Sequence, residues 1–143
     1  MLTVHELKYT IPAMPEREIY IFVGENRSKM AREKGWGWQE CQRTGVPRLA
    51  AKPLWEALFE IKLDPNGQIF FNLWDDGWKI SRFVPEILKE MAEDGEVIIG
   101  MGRKVQAELR RLNIPHREMA HPAARGKIRA THLYRKHVRE VLG

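Results

Sequence analysis

Three short apolar runs are the feature of this sequence that most restricts its fold. Residues 19–23, 69–71 and 97–99 consist almost entirely of isoleucine, valine, phenylalanine and tyrosine, and they give way to Gly24, Asn72 and Gly100. Runs without polar alternation are typical of parallel strands that are buried on both faces of a sheet. We therefore predict strands at 19–23, 69–73 and 97–99, with a shorter fourth strand at 116–119.

Helical patterns fill most of the stretches between these strands. Alternation of strands and helices favours right-handed βαβ crossovers and a mostly parallel sheet. The sequence therefore predicts an α/β fold, three-layer α/β/α with a central mostly parallel four-stranded sheet, in a single domain spanning residues 1–143. Residues 27–47, which interleave glycine, proline and tryptophan, are expected to be irregular. The predicted helices span 49–61, 82 or 85 to 91, 104–112 and 128–142.

Composition excludes several classes of protein. The 143 residues are 43% hydrophobic and 30% charged, and no apolar run approaches the roughly 20 residues of a membrane span. The first residues do not have the pattern of a secretory signal, so we expect a cytoplasmic protein. Cys41 is the single cysteine, which excludes an intramolecular disulfide and a four-cysteine iron–sulfur site. The scattered histidines lack metal-ligand spacing, so neither metal nor cofactor is expected.

Positive charge is concentrated in the last third of the chain. The formal net charge is +5, and residues 103–139 contain many more basic than acidic side chains. This region is the natural candidate for phosphate contacts, and a solvated helix face is the alternative. Its basic residues are Arg103, Lys104, Arg110, Arg111, Arg117, Arg125, Lys127, Arg129, Arg135, Lys136 and Arg139, against Glu108 and Glu118.

Polar side chains follow three of the predicted strands. Asn26 comes just after the first strand, Asn72 lies at the end of the second, and His121 follows the fourth. The carboxyl ends of neighbouring parallel strands meet at one edge of a sheet, where α/β proteins place their sites. Two amides and an imidazole gathered there can grip a planar heterocycle and act on it.

These segments, in this order, resemble the motifs of the uracil-DNA glycosylase superfamily, in the branch without an iron–sulfur cluster. Gly24-Glu25-Asn26 fits the turn after the first strand, and Phe71-Asn72 fits the strand that ends in a base-reading asparagine. His121-Pro122-Ala123-Ala124 fits the histidine loop, and residues 97–105 resemble the strand–glycine–helix unit upstream of it. The resemblance covers about residues 19–132 and implies the fold predicted above.

The resemblance also implies a role for each site residue. Asn26 would position the water that attacks the anomeric carbon, and Asn72 would read the edge of the base. His121 would donate a hydrogen bond to uracil O2 as negative charge builds on the departing base. Gly24 and Glu25 would line the base pocket. In the basic loop and helix that follow, Arg125 would occupy the intercalating position, and backbone phosphates would be held by Arg125, Lys127 and Arg129.

The sequence departs from the family pattern at two positions near the base. Arg27-Ser28 follows Asn26, where the family has Pro-Gly or Pro-Tyr. Arg48 replaces the phenylalanine that stacks on the flipped base, and an arginine plane substitutes for an aromatic ring only in part. Trp36 or Trp38 is the alternative source of an aromatic face.

The leading hypothesis is a monofunctional DNA glycosylase that flips a deaminated base, uracil foremost, and hydrolyses its N-glycosidic bond in base-excision repair. Single-stranded or mismatched DNA would be the partner, because flipping is cheapest there, and we expect the enzyme to act as a monomer. One alternative is a non-catalytic protein of the same fold that binds DNA or nucleotides. Another is an enzyme acting on free nucleotides, with Arg27 and Arg48 gripping a 5′-phosphate.

Overall fold

A computed structural model describes residues 19–27, 29–35, 37, 51–122 and 131–143. Four strands and five α-helices lie within these ranges. None of these helices is long and apolar enough to cross a membrane. The elements are β1 (Tyr20–Gly24), α1 (Lys29–Lys34), α2 (Ala51–Glu60), a 3₁₀ turn (Pro65–Gly67), β2 (Ile69–Asn72), α3 (Val84–Glu93), β3 (Val97–Met101), α4 (Arg103–Arg111), β4 (Arg117–Met119) and α5 (Thr131–Leu142).

The four strands form one sheet in the order β2-β1-β3-β4. Every neighbouring pair is parallel, with Gly24 opposite Asn72, Val23 opposite Gly100 and Met101 opposite Met119. The prediction of an α/β fold on a four-stranded parallel sheet is confirmed. Its three-layer form stays a prediction.

Alternate residues of the strands enter two separate apolar clusters. Tyr20 and Phe22 pack with residues of α2 and α5, whereas Ile21 and Val23 pack with residues of α3 and α4. All five residues of β1 are buried. The apolar run that predicted this strand therefore reflects burial on both faces, as expected for the interior of a parallel sheet.

A side-chain cap begins the 3₁₀ turn, and a residue in the left-handed conformation ends α4. Asp64 Oδ1 accepts a hydrogen bond of 2.9 Å from the Asn66 backbone N–H and thereby caps the 3₁₀ turn. Asn113, at a φ of 58°, ends α4 before Pro115, because asparagine tolerates the left-handed region. The Ile114 N–H then returns to the Leu109 carbonyl at 2.9 Å.

The expectation that residues 27–47 are irregular is wrong at α1. Lys29–Lys34 contains neither glycine nor proline nor a β-branched residue, so its local propensity favours a helix. The helix ends at Gly35, whose φ of 69° suits a glycine just after a helix. Nearby glycines and tryptophans obscured this short helix in the sequence.

Candidate functional site at the carboxyl edge of the sheet

The strand order creates a crevice between β1 and β3. After β1 the chain crosses to β2 on one side, and after β3 it crosses to β4 on the other. The connections therefore diverge above the carboxyl ends of β1 and β3, which is where open α/β sheets bind ligands. Glu25 and Asn26 follow β1 at this point, and Gly102 follows β3.

Backbone hydrogen bonds extend the pairing of β1 and β2 beyond the last strand residues. The Leu73 N–H donates to the Gly24 carbonyl at 2.9 Å, and the Trp74 N–H donates to the Glu25 carbonyl at 3.0 Å. Asn72 lies opposite Gly24 in the same ladder. The segment that carries Asn26 is thus fixed against the strand that carries Asn72.

Asn26 keeps a buried hydrogen-bond donor without a partner. Its side-chain Nδ2 is inaccessible to solvent and bonds to no group in the described part of the chain. Buried side-chain nitrogens are nearly always hydrogen-bonded, and leaving one unpaired is unfavourable for folding. An unpaired amide at the switch point is therefore a candidate contact for a ligand.

His121 lies against Gly102 at the other side of the crevice. A Cβ atom at residue 102 would stand 3.4 Å from the His121 Cβ, and the φ of Gly102 is 90°. Glycine is the residue that adopts this φ readily, so any other residue here would strain the backbone that lies against the histidine. The strand–glycine–helix unit thus lets His121 approach the start of α4.

Burial lowers the pKa of the His121 imidazole, and the negative charge of Glu25 opposes that shift in part. The net effect keeps the ring neutral at neutral pH. A neutral imidazole still carries one N–H donor. Glu25 follows β1 and His121 follows β4, so both residues leave the carboxyl edge of the same parallel sheet.

Buried hydrogen bonds hold the carboxyl ends of β3 and β4 together beneath His121. Gln106 Nε2 donates to the carbonyls of Gly100 and Met119, both at 3.0 Å. The Gly102 N–H also donates to the Met119 carbonyl, at 2.9 Å. Gln106 is itself buried, so this network fixes the backbone from which the histidine loop departs.

His137 of α5 adds a further support for His121. Its Nε2 accepts a 2.8 Å hydrogen bond from the backbone N–H of Ala120, the residue before His121. The acceptor role at Nε2 places the ring proton of a neutral His137 on Nδ1. The sequence alone assigns His137 no function. Ala120 and His137 are 17 residues apart in the chain, and no local pattern indicated that they are in contact.

An aromatic and cationic cluster lies beside the site and was not predicted. Lys104 Nζ stands 3.9 Å from the ring centroid of Trp78 and 5.2 Å from that of Trp74. The two indole rings are 6.3 Å apart. The sequence offered a faint signal, since a tryptophan that directly follows Asp-Asp-Gly in a turn has few ways to become buried.

Most described cations of the basic C-terminal region are engaged within the protein. Arg135 and Arg139 pair with Glu56 and Glu60 of α2, and Lys136 pairs with Glu140. Ion pairs also join Arg110 to Glu118 and Arg111 to Glu108, while Arg117 donates to the Val141 carbonyl. Within the described part of this region, Arg103 and Lys104 are the cations without an anionic or carbonyl partner.

The structure brings five of the predicted site residues to one edge: Gly24, Glu25, Asn26, Asn72 and His121. No group of three potential metal ligands occurs among the described residues. The remaining predicted site residues lie outside the described ranges, so their roles stay predictions. They are Trp36, Arg48, Arg125, Lys127 and Arg129.

Comparison with known proteins does not identify a family for this chain. No family model matches the chain, and no curated protein matches it. The fold and the site together define an α/β protein with a polar crevice at the carboxyl edge of a parallel sheet. The function of that crevice has to be argued from its chemistry.

Proposed function

We propose that the protein is a monofunctional DNA glycosylase that flips a deaminated base, uracil foremost, into the carboxyl-edge crevice and hydrolyses its N-glycosidic bond. The proposal includes a cytoplasmic, monomeric enzyme that needs neither metal nor cofactor. The observation that carries it is the convergence of Asn26, Asn72 and His121 at the carboxyl edge of the sheet.

His121 suits the stabilisation of a departing base. Cleavage of the glycosidic bond leaves negative charge on the uracil ring, and a fixed N–H donor stabilises such charge as it develops. Burial lowers the pKa of this imidazole, so the donor is a neutral ring. One preorganised donor contributes roughly 2.7–4 kcal/mol in well-studied sites.

The two asparagines supply recognition and orientation. A side-chain amide presents an acceptor beside donors, which complements the O4 and N3–H edge of uracil in the role proposed for Asn72. The amide of Asn26 orients the attacking water and does not remove its proton as a strong base would. Such an enzyme depends on leaving-group stabilisation, and therefore on His121.

The Arg27 ion pair favours this proposal over an enzyme for free nucleotides. The Arg27 guanidinium contacts both carboxylate oxygens of Asp76, at 3.3 and 2.5 Å. Two of its N–H groups are already engaged, so binding a 5′-phosphate through them would require this ion pair to break. Arg27 instead fastens the turn after β1 to the loop after β2, at the position where the family has proline.

An excision assay tests the proposal. Labelled oligonucleotides with one uracil are presented single-stranded, opposite adenine and opposite guanine, and abasic sites are cleaved with hot alkali. We expect strand breaks at uracil with the wild type, and a loss of at least about 100-fold in rate with His121→Ala. His132→Ala, which changes an exposed histidine of α5, is the matched control and should retain activity.

Two outcomes would overturn the proposal. Intact oligonucleotides that nevertheless shift in a gel would indicate a binding protein on this fold. Neither cleavage nor a shift would direct the search to free nucleotides, with the same variants tested for nucleotide hydrolysis.

A further inference from the structure

The loop after β2 is a closely hydrogen-bonded turn. Asp75 Oδ1 accepts hydrogen bonds from the N–H groups of Gly77, at 2.8 Å, and Lys79, at 3.0 Å. The Asp75 N–H donates to the Lys79 carbonyl at 2.8 Å. Trp74 and Ile80 face each other across an antiparallel bridge. These contacts define the conformation of residues 74–80 independently of any ligand.

The same loop is fastened to the segment that follows β1. Asp76 forms the ion pair with Arg27, and its backbone carbonyl accepts a 3.2 Å hydrogen bond from Arg32 of α1. The loop therefore has a fixed position relative to the crevice, which begins at the residues just before Arg27.

Trp78 lies on this loop in a backbone conformation that is unfavourable for a large side chain. Its φ is 59°, in the left-handed region that bulky residues rarely adopt. Its N–H bonds to the Asp75 carbonyl at 3.0 Å, yet 49% of the residue is exposed. Backbone strain of this kind clusters at functional sites. A large ring held out to solvent by a rigid turn is well placed to contact another molecule.

Lys104 adds charge to this aromatic surface. Its ammonium lies 3.9 Å from the Trp78 ring centroid, so it covers one ring face and leaves the exposed part of the indole open. Lys104 is the second residue of α4, and the N-cap of that helix is Gly102, which contacts His121. The aromatic surface thus adjoins the proposed active site.

The surroundings of Trp78 favour a polyanion. Lys79 directly follows Trp78, and it is exposed and forms no ion pair within the described part of the chain. The Asp76 carboxylate is paired with Arg27, and the Asp75 carboxylate accepts hydrogen bonds from two backbone N–H groups. Lys79 and Lys104 therefore outnumber the one carboxylate of residues 74–80 that has no ion pair among the described residues, and this positive balance complements DNA phosphates.

We propose that Trp74, Trp78 and Lys104, the Trp78 platform, bind a nucleobase of the DNA strand next to the flipped nucleotide. The base stacks on the exposed part of Trp78, and Lys104 lies near the adjacent phosphate. Base–aromatic stacking reinforced by cations is the usual basis of single-strand binding. This inference rests on the proposed function, because it places DNA at the carboxyl edge.

Equilibrium binding to single-stranded DNA that contains no uracil tests the platform separately from catalysis. Fluorescence anisotropy with a labelled oligonucleotide would compare the wild type with Trp78→Ala, Trp78→Gly and Trp78→Phe. Stacking of one base corresponds to about a 5- to 150-fold change in affinity. We expect losses in that range for Ala and Gly, and retention within about threefold for Phe, which keeps an aromatic ring.

Two variants guard against a purely structural effect. Glycine accepts the φ of residue 78 without strain, so Trp78→Gly removes the ring while favouring the native loop. Phe59→Ala is the matched control, since Phe59 is a 56% exposed aromatic on α2, and its affinity should match that of the wild type. Equal affinity of the wild type and Trp78→Gly would overturn the inference.

The uracil-excision assay on the same proteins separates the two proposals. Weaker binding by Trp78→Gly in a protein that excises no uracil would retain the platform and refute the glycosylase. Excision by the wild type, with unchanged affinity and unchanged kcat/KM in Trp78→Gly, would retain the glycosylase and refute the platform. A wild type that binds no single-stranded DNA would refute the platform directly.

Discussion

The C-terminal helix and the carboxyl edge of the sheet are both basic, but they use their cations differently. In α5, Arg135 and Arg139 reach across to acidic residues of α2, and Lys136 pairs with a glutamate one turn away. At the carboxyl edge, Arg103 is exposed without an ion pair among the described residues, and Lys104 lies over two indoles. Among the described residues, the basic helix α5 therefore offers less unpaired positive charge than the carboxyl edge does.

This difference distinguishes cations that join elements of the fold from cations that are available to bind a ligand. The α5 cations face Glu56 and Glu60, so they join two helices that pack on the same cluster. Exposed pairs of this type contribute roughly 0–1 kcal/mol each. Arg103 and Lys104 form no ion pair among the described residues, and they begin α4 directly after Gly102, which lies against His121.

The largest expected effect is the loss of catalysis in Asn26→Ala, at the carboxyl edge of the sheet. Loss of the water-orienting amide should lower the excision rate at least about 100-fold. The free energy of unfolding should not fall, because the variant also removes a buried donor that has no partner among the described residues. Single-turnover excision and urea denaturation measure the two quantities.

Asn66→Ala is the control for that prediction, because Asn66 is exposed in the 3₁₀ turn before β2, at the amino end of the strand whose carboxyl end carries Asn72. A clear loss of stability in Asn26→Ala, with excision unchanged, would assign Asn26 a structural role alone.

A second prediction concerns His137, which links α5 to the carboxyl edge of the sheet. His137 belongs to α5 yet supports the histidine loop through Ala120. His137→Ala should cost about 1–3 kcal/mol of stability, because it leaves that N–H unpaired. It should also lower kcat by about tenfold with little change in DNA affinity, since His121 loses its fixed position.

His137→Gln, whose side-chain oxygen can accept the same hydrogen bond, should recover part of kcat. If kcat is unchanged in His137→Ala, the hydrogen bond from Ala120 does not position His121.

The third prediction compares the two sets of cations by salt dependence. Arg103→Ala/Lys104→Ala should weaken binding to single-stranded DNA and reduce the slope of log K against log salt by about 1.4, from roughly 0.7 per contact. Arg135→Ala/Arg139→Ala should keep the wild-type slope and lose a little stability. The reverse pattern would place DNA on α5.

The smallest expected effect is a pH dependence of stability. Burial lowers the pKa of His121 below its ordinary 6.5 in the folded protein. Below pH 6.5 the unfolded chain therefore binds more protons at this residue, and the free energy of unfolding falls as pH decreases toward the folded pKa. At higher pH this contribution is fully present.

Urea denaturation between pH 5 and 8 measures this dependence. His121→Asn should show a shallower decline in stability below pH 6.5 than the wild type, and His132→Ala should follow the wild type. Identical pH profiles for His121→Asn and the wild type would show that His121 titrates normally.

The sequence predicts the sheet because its strands carry a strong local signal. Residues 20–23 are buried on both faces, and an unbroken apolar run encodes this directly. The four strands form at the predicted places to within a residue or two, and Asn26, Asn72 and His121 meet at one edge because parallel strands end there.

Other features depend on contacts that no local pattern records. The pairing of Arg135 with Glu56 joins residues 79 apart in the chain, so the sequence shows a basic helix and not its partners. The approach of Lys104 to Trp78 depends on how α4 and the loop after β2 meet above the sheet. The short helix α1 lacked an apolar period long enough to stand out from its surroundings.

The most direct test of where DNA binds is a titration of the ¹⁵N-labelled protein with a short uracil-containing oligonucleotide, followed by amide and indole NMR signals. We expect the largest shifts at Asn26, Asn72, Gly102 and His121 and at the Trp78 indole. Signals of α5 away from His137 should move little. Shifts confined to α5, with the carboxyl edge unchanged, would contradict the account.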